Sequence, residues 1–269
     1  MKRFCLILLL YPLFSSAIMR HNQENDCMLI SLPKSGSSFL ASIIEENNLQ
    51  VKYQSERLTR QWGGTNYCKY GQDILLKGLY NSRFAKTDLN FSKEVYLNLY
   101  MSLFRQRFTL FCLYRHRNHT FPSDRVGNFI EIFNSFISIK SPDKDIDKIR
   151  KYIKKTAKTD LQKQCAIHTV MNYIMLSDAL KYNIPVINYK MIMELEGQEL
   201  FDYLKERVPF QLFTDSLSEL LEKKRFKEKK FFSKKEENYQ RLSIEWYYQE
   251  VITFIKNINP NMAYWNFFD

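Results

Sequence analysis

The sequence predicts an α/β fold: a central, mostly parallel sheet flanked by helices. Three observations carry that expectation. Apolar runs of strand length stand at residues 27–32 and 108–114, the second being the most continuous in the chain (FTLFCLY). Helical apolar spacing follows each of them, as at Phe39, Leu40, Ile43 and Ile44. Strand-like and helical stretches then alternate to the end without an internal repeat, the pattern of strands covered on both faces by helices.

Taken in order, residues 1–17 read as a leader. Lys2 and Arg3 precede an apolar run at 4–14, and Ser15, Ser16 and Ala17 offer the small residues of a cleavage site. The run is shorter than the about 20 residues that span a bilayer, so a cleaved secretory signal is expected, with a short signal anchor or a start at Met19 as alternatives. Residues 18–26 are a polar stem, and 27–269 form one domain. Within it the pattern gives a strand at 27–32, a helix from Phe39, a short strand at 50–53, a helix at 71–80, a strand at 83–89 and a helix at 92–106. After the strand at 108–114 come a helix opened by Pro122 and Ser123, helices at 145–156 and 160–182, and a strand at 184–189. Helices at 194–207, 217–230 and 237–257 complete the chain.

Composition narrows the function classes. Of 269 residues, 40 are Lys or Arg and 29 Asp or Glu, a formal net charge of +11, and 45% are hydrophobic, which excludes a disordered or low-complexity chain. The excess of positive charge favours an anionic partner: nucleic acid, a membrane surface, a nucleotide or a sulfated sugar. The five cysteines form no CxxC pair and the four histidines no metal-ligand spacing, so no metal site is expected. Cys27 and Cys112 fall in strand-like runs and are expected as buried thiols, and Cys68 and Cys165 are candidates for pairing in an oxidising compartment. His168 lies in a helical stretch and is expected to be structural, whereas His116 and His119 are placed near the loop described next.

The strongest chemical feature is the string PKSGSS at 33–38, between a strand and a helix. A helix start presents unpaired N–H groups and partial positive charge. Gly36 permits close backbone approach, Ser35, Ser37 and Ser38 add hydroxyls, and Lys34 adds a full charge, which together suit a phosphate or sulfate. The spacing is not that of the ATP- and GTP-binding P-loop. This loop resembles the PKSGTT loop of the sulfotransferases that use 3′-phosphoadenosine 5′-phosphosulfate (PAPS), with serines for both threonines and Phe39 for the usual tryptophan. Two further elements share the resemblance. Arg115 follows the strand at 108–114 and Ser123 stands eight positions later at a helix start, the family's pair for the donor's 3′-phosphate. The segment Lys86-Thr87-Asp88 is similar to the family's Lys-Thr-His, with Asp88 in place of the histidine base.

The resemblance spans residues 28–189 and implies a P-loop-like sulfotransferase fold, PAPS as donor, adenosine 3′,5′-bisphosphate as product and no metal. It implies Asp88, Lys34 and Lys86 as catalytic residues, and Lys34, Ser35, Gly36, Ser37, Ser38, Arg115 and Ser123 as the donor site. The acceptor is then a small molecule or glycan bearing a hydroxyl or amine, with no nucleic-acid partner, and a membrane is involved only through an uncleaved leader. The expected location is the Golgi lumen or outside the cell, or the cytoplasm if the chain starts at Met19. Lys190 stands where the family has glutamate after a late strand; the family's C-terminal donor loop has no clean counterpart, and the basic run at 223–235 is expected as a solvated helix face, with phosphate-binding charge as the alternative. Two rivals remain: a secreted relative that has lost catalysis, and a heparin-, glycan- or nucleic-acid-binding protein in which the PKSG turn is incidental.

Overall fold

The computed structural model describes residues 26–32, 35–47, 52–54, 74–79, 109–116, 127–138, 141, 143–209, 211–213, 217, 219 and 244–268. Five strands among them form one sheet: β1 (Asp26–Ser31), β2 (Lys52–Gln54), β3 (Ile74–Leu79), β4 (Thr109–Tyr114) and β5 (Val186–Asn188). Their spatial order is β2-β3-β1-β4-β5 and every pairing is parallel. The helices are α1 (Ser37–Asn47), α2 (Gly127–Ser138), α3 (Lys144–Thr156), α4 (Asp160–Lys181), α5 (Tyr189–Glu194), α6 (Gly197–Lys205) and α7 (Glu245–Ile258).

Alternation along β1 and β4 divides the core into two layers. Ile30, Leu110, Cys112 and Tyr114 face α2, α3, α4 and α7. Leu29, Phe111 and Leu113 face α1, α5 and α6. Both strands are therefore apolar at nearly every position, because neither face meets water. α4 runs through the larger layer with fifteen buried positions, which explains why it lacks a polar stripe. Thr159 and Gln162 close its start as a capping box, and Asn183 stops it at φ +53.

Distant segments are tied to this frame by polar contacts. Asn47, at the end of α1, donates to the Phe213 carbonyl at 2.8 Å and accepts from the Phe213 N–H at 2.9 Å. The C-terminal segment folds over the end of β4, where Tyr114 packs against Phe267 and Phe268. Tyr248 Oη donates to the Phe268 carbonyl at 2.7 Å and stands 2.9 Å from His116 Nε2. A tyrosine hydroxyl has one proton, so His116 donates to Tyr248 through Nε2. His116 thus braces the C-terminal segment.

One expectation is corrected and one helix is added. The stretch at 71–80, expected as a helix, contains β3: ILLKGL is a short apolar run, whose periodicity does not separate a buried strand from a helix. The helix expected at 194–207 is α6, and a short helix that the sequence did not announce, α5, precedes it, with Leu195 and Glu196 extended between the two. Cys165 is buried in α4, and Cys68 lies outside the described residues. Cys112 is a buried thiol as expected, and burial first, then the Asp178 charge, push its ionisation upward. The readings at 83–89, 92–106 and 223–235 lie outside the described residues.

One ion pair lends the fold a pH dependence. Asp147 accepts from Lys151 at 2.9 Å and from Arg150 at 2.7 Å, while Arg150 also donates to the Ile137 carbonyl of α2 at 3.0 Å. The hydrogen bonds from Lys151 and then Arg150 hold the Asp147 carboxyl at about 2. A depressed folded value stabilises fully above the unfolded value of about 3.9 and loses that contribution as pH falls toward 2. Asp147→Asn is therefore expected to lower the urea midpoint at pH 7, with the gap from wild type closing between pH 4 and pH 2. A gap that stays constant across that window would show that the charge contributes nothing.

Candidate functional site

The sheet order fixes where a ligand can enter. The chain leaves β1 toward β2 on one side and, after the neighbouring β4, ends in β5 on the other. Between β1 and β4 the connections diverge, and in open parallel sheets such a point opens a crevice at the carboxyl ends of the strands. The described residues there are Ser31, Leu32, Ser35, Gly36 and Ser37 at the end of β1 and Arg115 after β4.

The loop after β1 is wound tightly onto α1. Ser35 donates to the Leu32 carbonyl twice, through Oγ at 2.7 Å and through its N–H at 3.3 Å. Gly36 takes φ +87 and its carbonyl accepts the first bond of α1, from Leu40 N–H at 3.0 Å. That geometry leaves the N–H groups of Ser37, Ser38 and Phe39 without intrahelical acceptors. Ser37 is buried in the first turn, and the Ser31 hydroxyl at the strand end is fully buried with no hydrogen-bond partner among the described residues.

Arg115 brings a buried positive charge to the same place, only 4% exposed. Its guanidinium lies over the Tyr189 ring, 4.0 Å from the centroid. A Cβ at position 36 would stand 3.5 Å from Arg115 Nη1 and 2.5 Å from Tyr189 Cε2. Three strand ends thus meet: Gly36 after β1, Arg115 after β4 and Tyr189 after β5. Phe39 of α1 lies beside Tyr189, with ring centroids 6.0 Å apart and planes tilted by 60°.

Of the residues expected at the donor site, the structure brings together Ser35, Gly36, Ser37 and Arg115, with Ser38 in the first turn of α1. Ser35 directs its donors inward to the loop, so its part is to shape the turn. Lys34, Lys86, Asp88, Ser123 and His119 lie outside the described residues. His168 is buried in α4 beside Asn172 and Phe129, a core residue as expected. Tyr189 was not anticipated as part of the site. Its marks in the sequence are an aromatic residue at the end of a strand, which core packing alone also explains, and the likeness of 185–189 to the late strand of the sulfotransferases. Among the described residues no group of three His, Cys, Asp or Glu side chains converges as a metal site.

No family model matches this chain, and no curated protein or solved structure matches it either.

The contact of Tyr189 with Gly36 yields a specific expectation. Gly36→Ala meets both a left-handed backbone, which costs about 1–2 kcal/mol, and the Tyr189 ring. Adding Tyr189→Ala removes the ring but not the backbone strain. The double variant is thus expected to be less destabilised than the two single losses together, read by urea unfolding. Simple additivity would mean that the ring does not press on position 36.

Proposed function

We propose that this chain is a PAPS-dependent sulfotransferase, acting on a hydroxyl or amine acceptor, carbohydrates included, in the secretory lumen. One observation supports this most: the buried guanidinium of Arg115 stands beside the Gly36 start of α1, at the diverging strands β1 and β4. A helix start and a buried arginine are complementary to an anion with two charged ends. On this reading Lys34 and the N–H groups of α1 hold the phosphosulfate end. Arg115 and Ser123 hold the 3′-phosphate.

The reaction is an in-line displacement at sulfur. The acceptor oxygen or nitrogen forms the new bond as the bond from sulfur to the bridging oxygen breaks. Adenosine 3′,5′-bisphosphate departs with the electron pair. Asp88 takes the acceptor's proton, and Lys34, Lys86 and the helix start stabilise charge growing on the bridging oxygen. A second reading, a non-catalytic relative that binds an anionic glycan, is favoured by the Tyr189 ring, which covers the Cα side of Gly36 where a phosphosulfate would approach.

Calorimetric titration with adenosine 3′,5′-bisphosphate separates the two. The enzyme reading expects saturable binding that weakens about 10- to 100-fold in Lys34→Ala and in Arg115→Ala, the range for hydrogen bonds to charged groups. Folded wild type that does not bind, or variants that bind equally well, would exclude it.

A further inference from the structure

A second cavity, of about 650 Å³, lies along the outer edge of β5, apart from the Arg115 site. It falls within the roughly 300–1,000 Å³ of ligand-holding clefts. Pro185, Val186 and Asn188 form one wall, with Lys190, Met191 and Glu194 of α5 continuing it. Tyr203, Glu206 and Arg207 line the side of α6, and Tyr264, Asn266 and Phe267 come from the C-terminal segment.

The strand's register decides what its backbone presents there. Cys112 N–H donates to the Pro185 carbonyl at 2.8 Å, and Cys112 pairs in register with Val186. In a parallel ladder this turns residues 185 and 187 toward β4, and residues 186 and 188 away from it. Asn188 confirms the alternation, because its N–H reaches Tyr203 Oη at 2.7 Å, across the outer edge. The N–H and C=O of Val186 therefore face the cavity, and among the described residues neither meets a protein partner. A backbone donor and acceptor on a residue only 5% exposed call for a partner. Pro185 at the head of the strand suits an edge position, and β5 is the last of the described strands in the sheet.

We propose that this groove binds an extended peptide segment, which adds to β5 as a further strand and pairs with Val186. One acceptor and one donor of the peptide backbone satisfy the N–H and C=O of Val186, the mode in which main-chain bonds give affinity and pockets for alternate side chains give selectivity. Tyr203 Oη, accepting from Asn188, keeps its own proton to donate to a peptide carbonyl further along. Burial pushes that phenol above its ordinary value, so the proton is retained at neutral pH. Met191 and Phe267 offer apolar contact to one set of side chains. Lys190 and Arg207 stand with Glu194 and Glu206 on the walls, so charges of both signs are accommodated.

The test is selection from a random octapeptide display library on the full chain, followed by fluorescence polarisation of an enriched peptide. Val186→Pro removes the one N–H that the peptide needs and spares the ladder to β4, which uses the other residues. Binding is expected to fall at least tenfold in this variant, with the circular dichroism and melting of wild type. Should Val186→Pro not fold, the same peptide N-methylated at its central residues replaces it, and should bind wild type at least tenfold more weakly. Absence of enriched peptides, or equal binding in both comparisons, overturns the proposal.

Discussion

The stacking of the Arg115 guanidinium on Tyr189, against Gly36, is the contact on which the carboxyl edge of the sheet depends. A buried charge is costly unless its surroundings favour it, and a desolvated cation over an aromatic face recovers about 2 kcal/mol. The arrangement also admits only one residue type at position 36, since φ +87 and the Tyr189 ring both oppose a side chain. Sequence-distant strands are thereby locked at a single point. The start of α1 cannot move without disturbing the arginine, nor the arginine without the tyrosine.

That point is held rigid by what lies beneath it. β4 is central, flanked by β1 and β5, and five of its six residues are buried. Phe111 and Leu113 anchor it to one helical layer, and Leu110, Cys112 and Tyr114 to the other. The C-terminal segment then seals the end of β4 through Tyr114, His116 and Tyr248. Arg115 thus sits between a tightly packed strand and a latched tail, and its position follows from the packing of its neighbours. A site supported in this way is preorganised, which is what recognition of a doubly charged ligand requires.

How much of this was legible depends on the kind of signal each element carries. β1 and β4 could be read because unbroken apolar runs suit strands buried on both faces. The loop and Arg115 could be read because their residue types have a chemistry in common. β3 could not, since ILLKGL is equally apolar in a strand and a buried helix, and only its register beside β1 decides. The short helix α5 was hidden because it follows β5 directly, its first residue, Tyr189, ending the apolar run at 184–189 that reads as a strand. Tyr189 was unreadable as a site residue because its role is a relation to Gly36 and Arg115, which lie 153 and 74 positions away in the chain.

The same glycine bears on both readings of the site. A glycine in a strand-to-helix turn is usually taken to open space for a bound anion, and here the space over its Cα holds an aromatic ring. On the sulfotransferase reading, anion binding by the loop therefore does not rest on Gly36. It rests on the N–H groups of Ser37, Ser38 and Phe39, which point along the helix axis, and on Arg115 beside them. Removing the ring would leave those N–H groups unchanged while loosening the arginine. Donor binding and stability should then respond differently to Tyr189. If the ring only packs, its loss costs stability alone. If it positions the guanidinium, its loss also weakens the hold on the terminal phosphate, because a cation freed from its stack is no longer aimed.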